Sequence, residues 1–373
     1  MVTWTTYTNW ARWFTAKYPL LSYTLIQVNF WIWANVTFVL LVYFSMLSVI
    51  KFMAGSWNID LVEILTVSVL LGAVYGFFQG SIDYYLDKKL IAKDKLGHYL
   101  LIKLAVSTVF SLLFFLLFVM ILGSGLFNLS DFNERFFSDS KTLKYFFIVY
   151  LIYYALMNVL LICTNQVNKK YGPGVLIPLL MGHYSKPFEE ERIFLFMDLK
   201  SSTTLAEVMG NFKYSRFIRD AFLDIDLMLA PYFGEVYQYV GDEVIISWPV
   251  EQGMAGLNSI NFFYACQKRL QFRSAYYLKN YGYVPEFKGG LHLGVVTAVE
   301  IGNTKREIAF HGDTLNTTAR IQSLCNQYGK NLLASSAFAK WVERADSVRL
   351  EPIAEVNLRG KLQACLVVSV ELI

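Results

Sequence analysis

The sequence predicts an α-helical membrane domain of four spans followed by an α+β domain with βααβ-type repetition around one sheet. Three observations point there. Four apolar stretches are long enough to cross a bilayer, for which about 20 residues suffice. Charge is sparse up to Cys163 and returns at ordinary density from Lys186 onward. The second half alternates short β-branched or aromatic runs with stretches of helical apolar spacing.

Composition agrees. The 373 residues are 55% hydrophobic and 17% aromatic but only 17% charged, where globular domains carry about 25%. A mean hydropathy of +0.40 places part of the chain in a lipid bilayer. The net charge of +4, without any arginine-rich stripe, speaks against a nucleic-acid partner. Cys163, Cys266, Cys325 and Cys365 show no metal-like spacing and read as free thiols in a reducing compartment.

In order, residues 1–29 read as an interfacial segment. Trp4, Trp10, Arg12, Trp13, Phe14 and Lys17 suit the headgroup level, and a signal peptide's compact apolar core is missing. Residues 30–163 form the membrane domain, with spans at Phe30–Ile50, Ile59–Phe78, Leu100–Leu122 and Leu143–Cys163. Glu63, with Asp60 beside it in the same interfacial band, is the only acidic residue deeper within these spans, and Lys103 is expected to snorkel outward. No transport signature or polar mid-membrane pair stands out.

Lys88, Lys89, Lys93 and Lys95 lie in the Ser81–Tyr99 connection, and Lys169 and Lys170 follow the fourth span. The first connection offers only Lys51, and the third only Arg135 and Lys141. Positive residues thus favour a multi-pass protein of an inner or plasma membrane, with the N-terminus and the C-terminal half cytoplasmic. Four spans return the chain to its starting side, which agrees.

Residues 164–191 read as a cytoplasmic linker with Gly172-Pro173-Gly174 and Pro178, closed by the solvated charge run Glu189-Glu190-Glu191-Arg192. The domain over 192–373 begins with the apolar strand Ile193–Met197, which delivers Asp198 at its end. Leu199–Thr203 then leads into a helix over Thr204–Ala230, closed by Pro231. Backbone N–H groups at a helix start favour phosphate. A carboxylate just ahead of them repels phosphate unless a divalent cation sits between, so Asp198 suggests a metal–triphosphate site. Ser202 or Thr203 alone would serve as an ordinary cap.

Next comes a hairpin around Tyr239-Val240-Gly241-Asp242-Glu243, where Asp242 is either a solvated turn residue or a metal ligand. A helix over Met254–Tyr281 follows, then strands at Val284–His292, Val295–Ile301 and Arg306–His311. Gly312-Asp313-Thr314 opens a helix with Asn316 and Arg320 on one face, four residues apart. Leu332–Ser335, Val348–Leu358 and Leu366–Leu372 complete a strand-rich end.

Phe196–Thr203, Tyr239–Glu243 and Gly312–Arg320 resemble, in this order, the three signatures of the class III nucleotidyl cyclases. The resemblance covers Ile193 to the C-terminus, and Gly182–Pro187 with the spans is similar to a bacterial membrane-anchored branch. It implies conversion of a purine nucleoside triphosphate into a 3′,5′-cyclic nucleotide and pyrophosphate, for intracellular signalling. By similarity, Asp198 and Asp242 hold two Mg²⁺ or Mn²⁺ ions per site. Arg320 would neutralise charge at the α-phosphate, Asn316 would bond the ribose ring oxygen, and Lys361 or Arg359 would meet the terminal phosphates. In that family the metal carboxylates and the Asn/Arg pair of one site come from opposite chains, which implies a head-to-tail homodimer.

The base-reading positions depart from the family. Gln238 stands where adenylate cyclases have Lys and guanylate cyclases Glu, and Ala309 stands where an Asp or Thr is usual. An amide can donate to adenine N1 or accept from guanine N1–H, and ATP is favoured over GTP because the obligatory acceptor is lacking. Val240–Val244 is faintly similar to the hairpin of diguanylate cyclases, but the Asn316/Arg320 pair argues against that reading. A catalytically weak receptor or binding subunit would have been expected to lose one of Asp198, Asp242, Asn316 or Arg320, and all stand.

Overall fold

The computed structural model describes residues 4–52, 60–90, 96–123, 140–343, 345–356 and 365–373. The chain divides into two compact units, one of Tyr18–Tyr171 and one of the described part of Met1–Lys17 with Gly172–Ile373.

The first unit holds helices α2 (Pro19–Phe52), α3 (Leu61–Leu90), α4 (Leu96–Gly123) and α5 (Ser140–Tyr171). Each contains a stretch long and apolar enough to cross a membrane, which bears out the expected four. All run past the C-terminal ends of the expected spans. The segment expected over 1–29 divides, because α1 (Trp4–Lys17) belongs to the other unit whereas Pro19 already opens the first long helix.

Helix α3 meets α2 backbone to backbone along Gly72, Gly76 and Gly80; a Cβ on Gly76 would lie 2.6 Å from Val28 Cα. Beside that seam runs a polar stripe. Tyr75, Gln79, Asp83 and Asp87 recur at four-residue spacing on α3, and all are buried. Helix α4 answers with Tyr99, Lys103, Ser107 and Ser111 at the same spacing. Lys103 Nζ lies 3.3 Å from Asp83 Oδ2 and 3.2 Å from Asp87 Oδ1. Gln27 of α2 donates to Asp83, Tyr23 and Tyr99 donate to Asp87, and Lys169 of α5 reaches Asp87 at 2.9 Å.

Three expectations are corrected here. Lys103 does not snorkel, being 1% exposed and held by two carboxylates. Glu63 is not the only acidic residue in the long helices, because no proline stops α3 at Phe78 and it carries Asp83 and Asp87 within the spanning stretch. A buried polar pair therefore does exist among the spans.

The second unit is built on an eight-stranded sheet of order β2-β3-β1-β4-β6-β8-β7, with β5 pairing β4. Its strands are β1 (Phe188–Leu199), β2 (Glu235–Val240), β3 (Glu243–Pro249), β4 (Phe287–Ile301), β5 (Glu307–His311), β6 (Leu332–Ser335), β7 (Val348–Val356) and β8 (Cys365–Leu372). Helices α6 (Ser202–Met209), α7 (Asn211–Leu229), α8 (Asn258–Phe272), α9 (Ser274–Tyr281), α10 (Asp313–Tyr328) and α11 (Ser336–Val342) join them. The α+β class is as expected. The two expected strands around Gly294 form one, and the two long expected helices each break, at Gly210 (φ +70°) and at Arg273.

The charge run Glu189-Glu190-Glu191-Arg192 is no linker end. It is the first half of β1, paired with Val295–Thr297 and Gly294 of β4. Glu189 and Glu191 point to solvent, and Arg192 turns inward with Glu190 at 3.4 Å, so strand alternation absorbs the charges.

Residues Ile193, Leu195, Met197 and Leu199 pack against Phe217, Ile218, Ala221 and Ile225 of α7 and the α8 face. Two carboxylates on α7 fasten the helical layer. Asp224, 1% exposed, receives Arg269, Arg273 and the Tyr277 hydroxyl, and Asp220 receives Tyr276 and Tyr281. On the other sheet face α10 crosses β4 closely: a Cβ on Gly290 would lie 2.5 Å from Gln322 N, and one on Gly294 2.5 Å from Thr314 Oγ1.

Removing one partner of a buried charge cluster leaves the others uncompensated. Lys103→Met should therefore lower the unfolding free energy of the full chain in detergent by about 3–5 kcal/mol. A variant that unfolds at the wild-type denaturant concentration contradicts the assignment.

Candidate active site

Strand alternation sends Phe194, Phe196 and Asp198 of β1 to the face covered by α10, where Leu315 and Ala319 pack on the two phenylalanines. Asp198 stands beyond that apolar patch, half-buried. Its register partners are Glu243 on β3 and Lys288 on β4, so three charged side chains form one row across adjacent strands. Lys288 is 7% exposed, and its Nζ lies 3.0 Å from Asp198 Oδ2. The Gln322 amide of α10 donates to the same oxygen at 3.2 Å.

Asp242 occupies the two-residue turn joining β2 and β3, where Gly241 takes φ +63°. Such a turn requires positive φ, which explains the glycine. Glu243, next along the chain, is held above its ordinary value of 4.5, at about 7. Burial is the largest cause; the charges of Asp198 and Asp242 add to it, and Lys288 opposes. Nearby, the Tyr214 phenol is pushed up to about 12 by burial and then by Asp242. The site is thus a crowd of carboxylates with one buried ammonium.

Ser202 and Thr203 open α6, four and five residues past Asp198. No side chain caps this helix start, and Ser201 before it takes φ +55°, a strained value for a residue with a Cβ. Its first N–H groups therefore have no side-chain acceptor from the cap residue and can meet solvent or an external acceptor. Gln238 is half-buried on β2, and Ala309 is 5% exposed on β5. The Phe310 N–H donates to the Tyr237 hydroxyl at 3.1 Å, tying the strands that carry these two residues.

The structure brings Asp198 together with Asp242 at one end of the sheet, but it does not bring Asn316 and Arg320 to them. Both stand on the outer side of α10, Asn316 exposed. Gln322, two residues past Arg320, is the one that reaches Asp198. Two residues turn an α-helix by about 200°, so Arg320 faces away from the carboxylates of its own chain. Lys361 and Arg359 lie outside the described residues.

Glu243, Lys288 and Gln322 were missed in the sequence. Glu243 was visible in the Gly-Asp-Glu tip; the other two join the site only through sheet register and helix packing. Among the described residues no group of three or more His, Cys, Asp or Glu forms a metal-holding cluster. Hard carboxylate oxygens nonetheless suit Mg²⁺ or Mn²⁺, and a divalent cation would relieve the part of the Glu243 rise that, after burial, comes from Asp198 and Asp242.

Residues 184–369 match the family model of the adenylate and guanylate cyclase catalytic domain. Over 209 residues the chain is 34% identical to adenylate cyclase 2 of Rhizobium meliloti (strain 1021), across 56% of this chain and 58% of that protein. It is 25% identical over 191 residues to adenylate cyclase 1 of the same organism, across 49% of this chain and 28% of that protein. The chain thus spans little more than half the length of the first relative and about a quarter of the second. Among solved structures, a bacterial light-regulated adenylyl cyclase superposes with a TM-score of 0.50 at 21% identity, covering 58% of this chain and 63% of that one. That likeness bears on the fold.

The Glu243 shift has a sign that can be checked. A carboxyl whose folded value is raised contributes stability below its ordinary 4.5 and loses it as pH rises through about 7. Without metal, the melting temperature should fall between pH 5 and 8, and Glu243→Gln should flatten that fall. An unchanged slope in the variant would remove Glu243 as the cause.

Proposed function

We propose that the chain, whose residues 184–369 match the adenylate and guanylate cyclase catalytic domain, is a membrane-anchored purine nucleotide cyclase. It would convert ATP, or less readily GTP, into the 3′,5′-cyclic monophosphate and pyrophosphate. The observation that carries this reading is the row Glu243–Asp198–Lys288 beside Asp242, ahead of an uncapped helix start. It offers carboxylates for cations and N–H groups for a triphosphate within one short stretch.

Asp198 and Asp242 would hold two Mg²⁺ or Mn²⁺ ions, with the remaining ligands coming from phosphate oxygens. Such ions lower the pKa of the attacking 3′-hydroxyl and stabilise the leaving pyrophosphate. Lys288 keeps Asp198 charge-paired, and Gln322 fixes the orientation of the carboxylate. The start of α6, with Ser202 and Thr203, would bind phosphate oxygens. Arg320 would counter charge building on the α-phosphate, and Asn316 would hold the ribose.

Arg320 faces away from its own Asp198, so these roles require two copies of the chain. A head-to-tail homodimer would pair the carboxylates of one protomer with the Asn316/Arg320 face of its partner, giving two sites. Gln238 would meet the base. ATP is favoured because an amide there can donate to adenine N1 and because two relatives are named adenylate cyclases. The catalytic unit and the N-terminus would both be cytoplasmic. Helix α1 and Gly172–Ile373 share one compact unit, and four spans between them return the chain to one side.

The full chain in detergent with Mn²⁺ should form cyclic AMP from ATP faster than cyclic GMP from GTP. No cyclic product from either at high protein concentration would end the enzyme reading. Asp198→Ala and Arg320→Ala should each be nearly inactive. An equal mixture of the two, allowed to re-dimerise, should regain about a quarter of wild-type activity, since half the dimers then hold one intact site. A mixture as inactive as its parents contradicts shared sites.

A further inference from the structure

Glu235 opens β2, three residues before Gln238 and seven before Asp242. Its two carboxylate oxygens are taken by two arginines from different elements. Oε2 accepts from Arg192 Nη2 at 2.5 Å, and Oε1 accepts from Arg12 Nη1 at 2.5 Å. Arg192 is 2% exposed and also bonds Ser247 Oγ at 3.0 Å, so it is fixed in the sheet. Arg12 belongs to α1, the helix ahead of the first span. The Arg12 and Glu235 side chains are 18% and 17% exposed, which shields their pair from most of the screening that weakens surface ion pairs.

A second contact seats the same helix. Thr8 Oγ1 donates to the Gly174 carbonyl at 3.0 Å, and a Cβ on Gly174 would come within 2.7 Å of Ala11 Cβ. Helix α1 therefore rests on the joint after α5 and grips the first residue of the catalytic hairpin. The strand it grips is irregular. Register slips between Val236 and Gln238, leaving Tyr237 as the extra residue of a bulge. Tyr237 in turn bonds Phe310, beside Ala309.

Helix α1 ends at Lys17 and α2 begins at Pro19, while α5 ends at Tyr171 and the second unit resumes at Gly172. The four-helix unit is thus joined to the catalytic unit at both ends of its chain. Of the two joins, α1 has the side-chain hold on β2.

We propose that Arg12 is a positioning residue for the active site: through Glu235 it sets the placement of the Gln238–Asp242 hairpin, and α1 is the line by which the first membrane helix acts on that hairpin. The kinetic part rests on the cyclase reading; the mechanical part does not. Loss of Arg12 leaves Glu235 its bond to buried Arg192, so the fold is retained while the strand loses its outer restraint. The effect belongs to β2 and its turn, not to the core.

The test uses the full chain in detergent as wild type, Arg12→Ala, Arg12→Lys, Glu235→Gln and the double variant. Arg12→Ala should speed amide hydrogen exchange over 235–246 while leaving β4 and α8 unchanged. It should also lower kcat by roughly fivefold to tenfold, the scale of one ordinary net hydrogen bond. Arg12→Lys should restore most of both, and Arg12→Ala should add nothing in the Glu235→Gln background. Wild-type exchange over the hairpin in Arg12→Ala overturns the proposal. So does faster exchange spread through the whole unit, which marks a merely structural role. If the wild type forms no cyclic nucleotide, the cyclase reading fails by itself and the exchange pattern still decides whether Arg12 holds the hairpin.

Discussion

The gathering of Asp198, Asp242 and Glu243 at one end of the sheet is the constraint around which the second unit is arranged. Carboxylates brought together at one end of a sheet cost free energy unless something positive sits among them. The chain supplies one partner itself, Lys288, which reaches Asp198 from the neighbouring strand. Burial first, and then the charges of Asp198 and Asp242, hold Glu243 above its ordinary value against the opposing charge of Lys288. The sheet register fixes this crowding, because antiparallel β3 and β4 flank β1 and set Glu243 and Lys288 opposite Asp198. Close approach of α10 at Gly290 and Gly294 completes the frame and aims Gln322 at the same carboxylate.

The membrane unit solves a related problem differently. Asp83, Asp87 and Lys103 are buried, and each is matched with a partner from another helix. Helix α5 joins the cluster through Lys169, two residues before its end at Tyr171, and the catalytic unit resumes at Gly172. Charge pairing therefore reaches the last turn of the helix that leads into the joint. Helix α1 carries the other connection. A change in the bundle has two covalent routes outward, one through a Gly-Pro-Gly segment and one through a helix held by an ion pair.

What the sequence made legible follows local chemistry. Asp198 was readable because an apolar strand delivers it to a helix start, and Asp242 because Gly-Asp marks a tight turn. Both ends of β6 were readable because a short apolar run is bounded on each side. Glu189–Arg192 misled because consecutive charges suggest a loop, whereas β alternation sorts them to opposite faces. Lys288 and Gln322 were invisible, since their roles arise only when distant strands and a helix meet. The polar stripe on α3 was missed because Asp83 and Asp87 were counted with a loop. Their spacing with Tyr75 and Gln79 was the available signal.

The most direct measurement is electron paramagnetic resonance of Mn²⁺ bound to the full chain with a non-cyclisable ATP analogue. If the crowded carboxylates are a two-cation site completed by phosphate, the wild type binds two Mn²⁺ per site with the analogue, and Asp198→Asn loses that binding. Equal Mn²⁺ occupancy in wild type and Asp198→Asn would contradict the account.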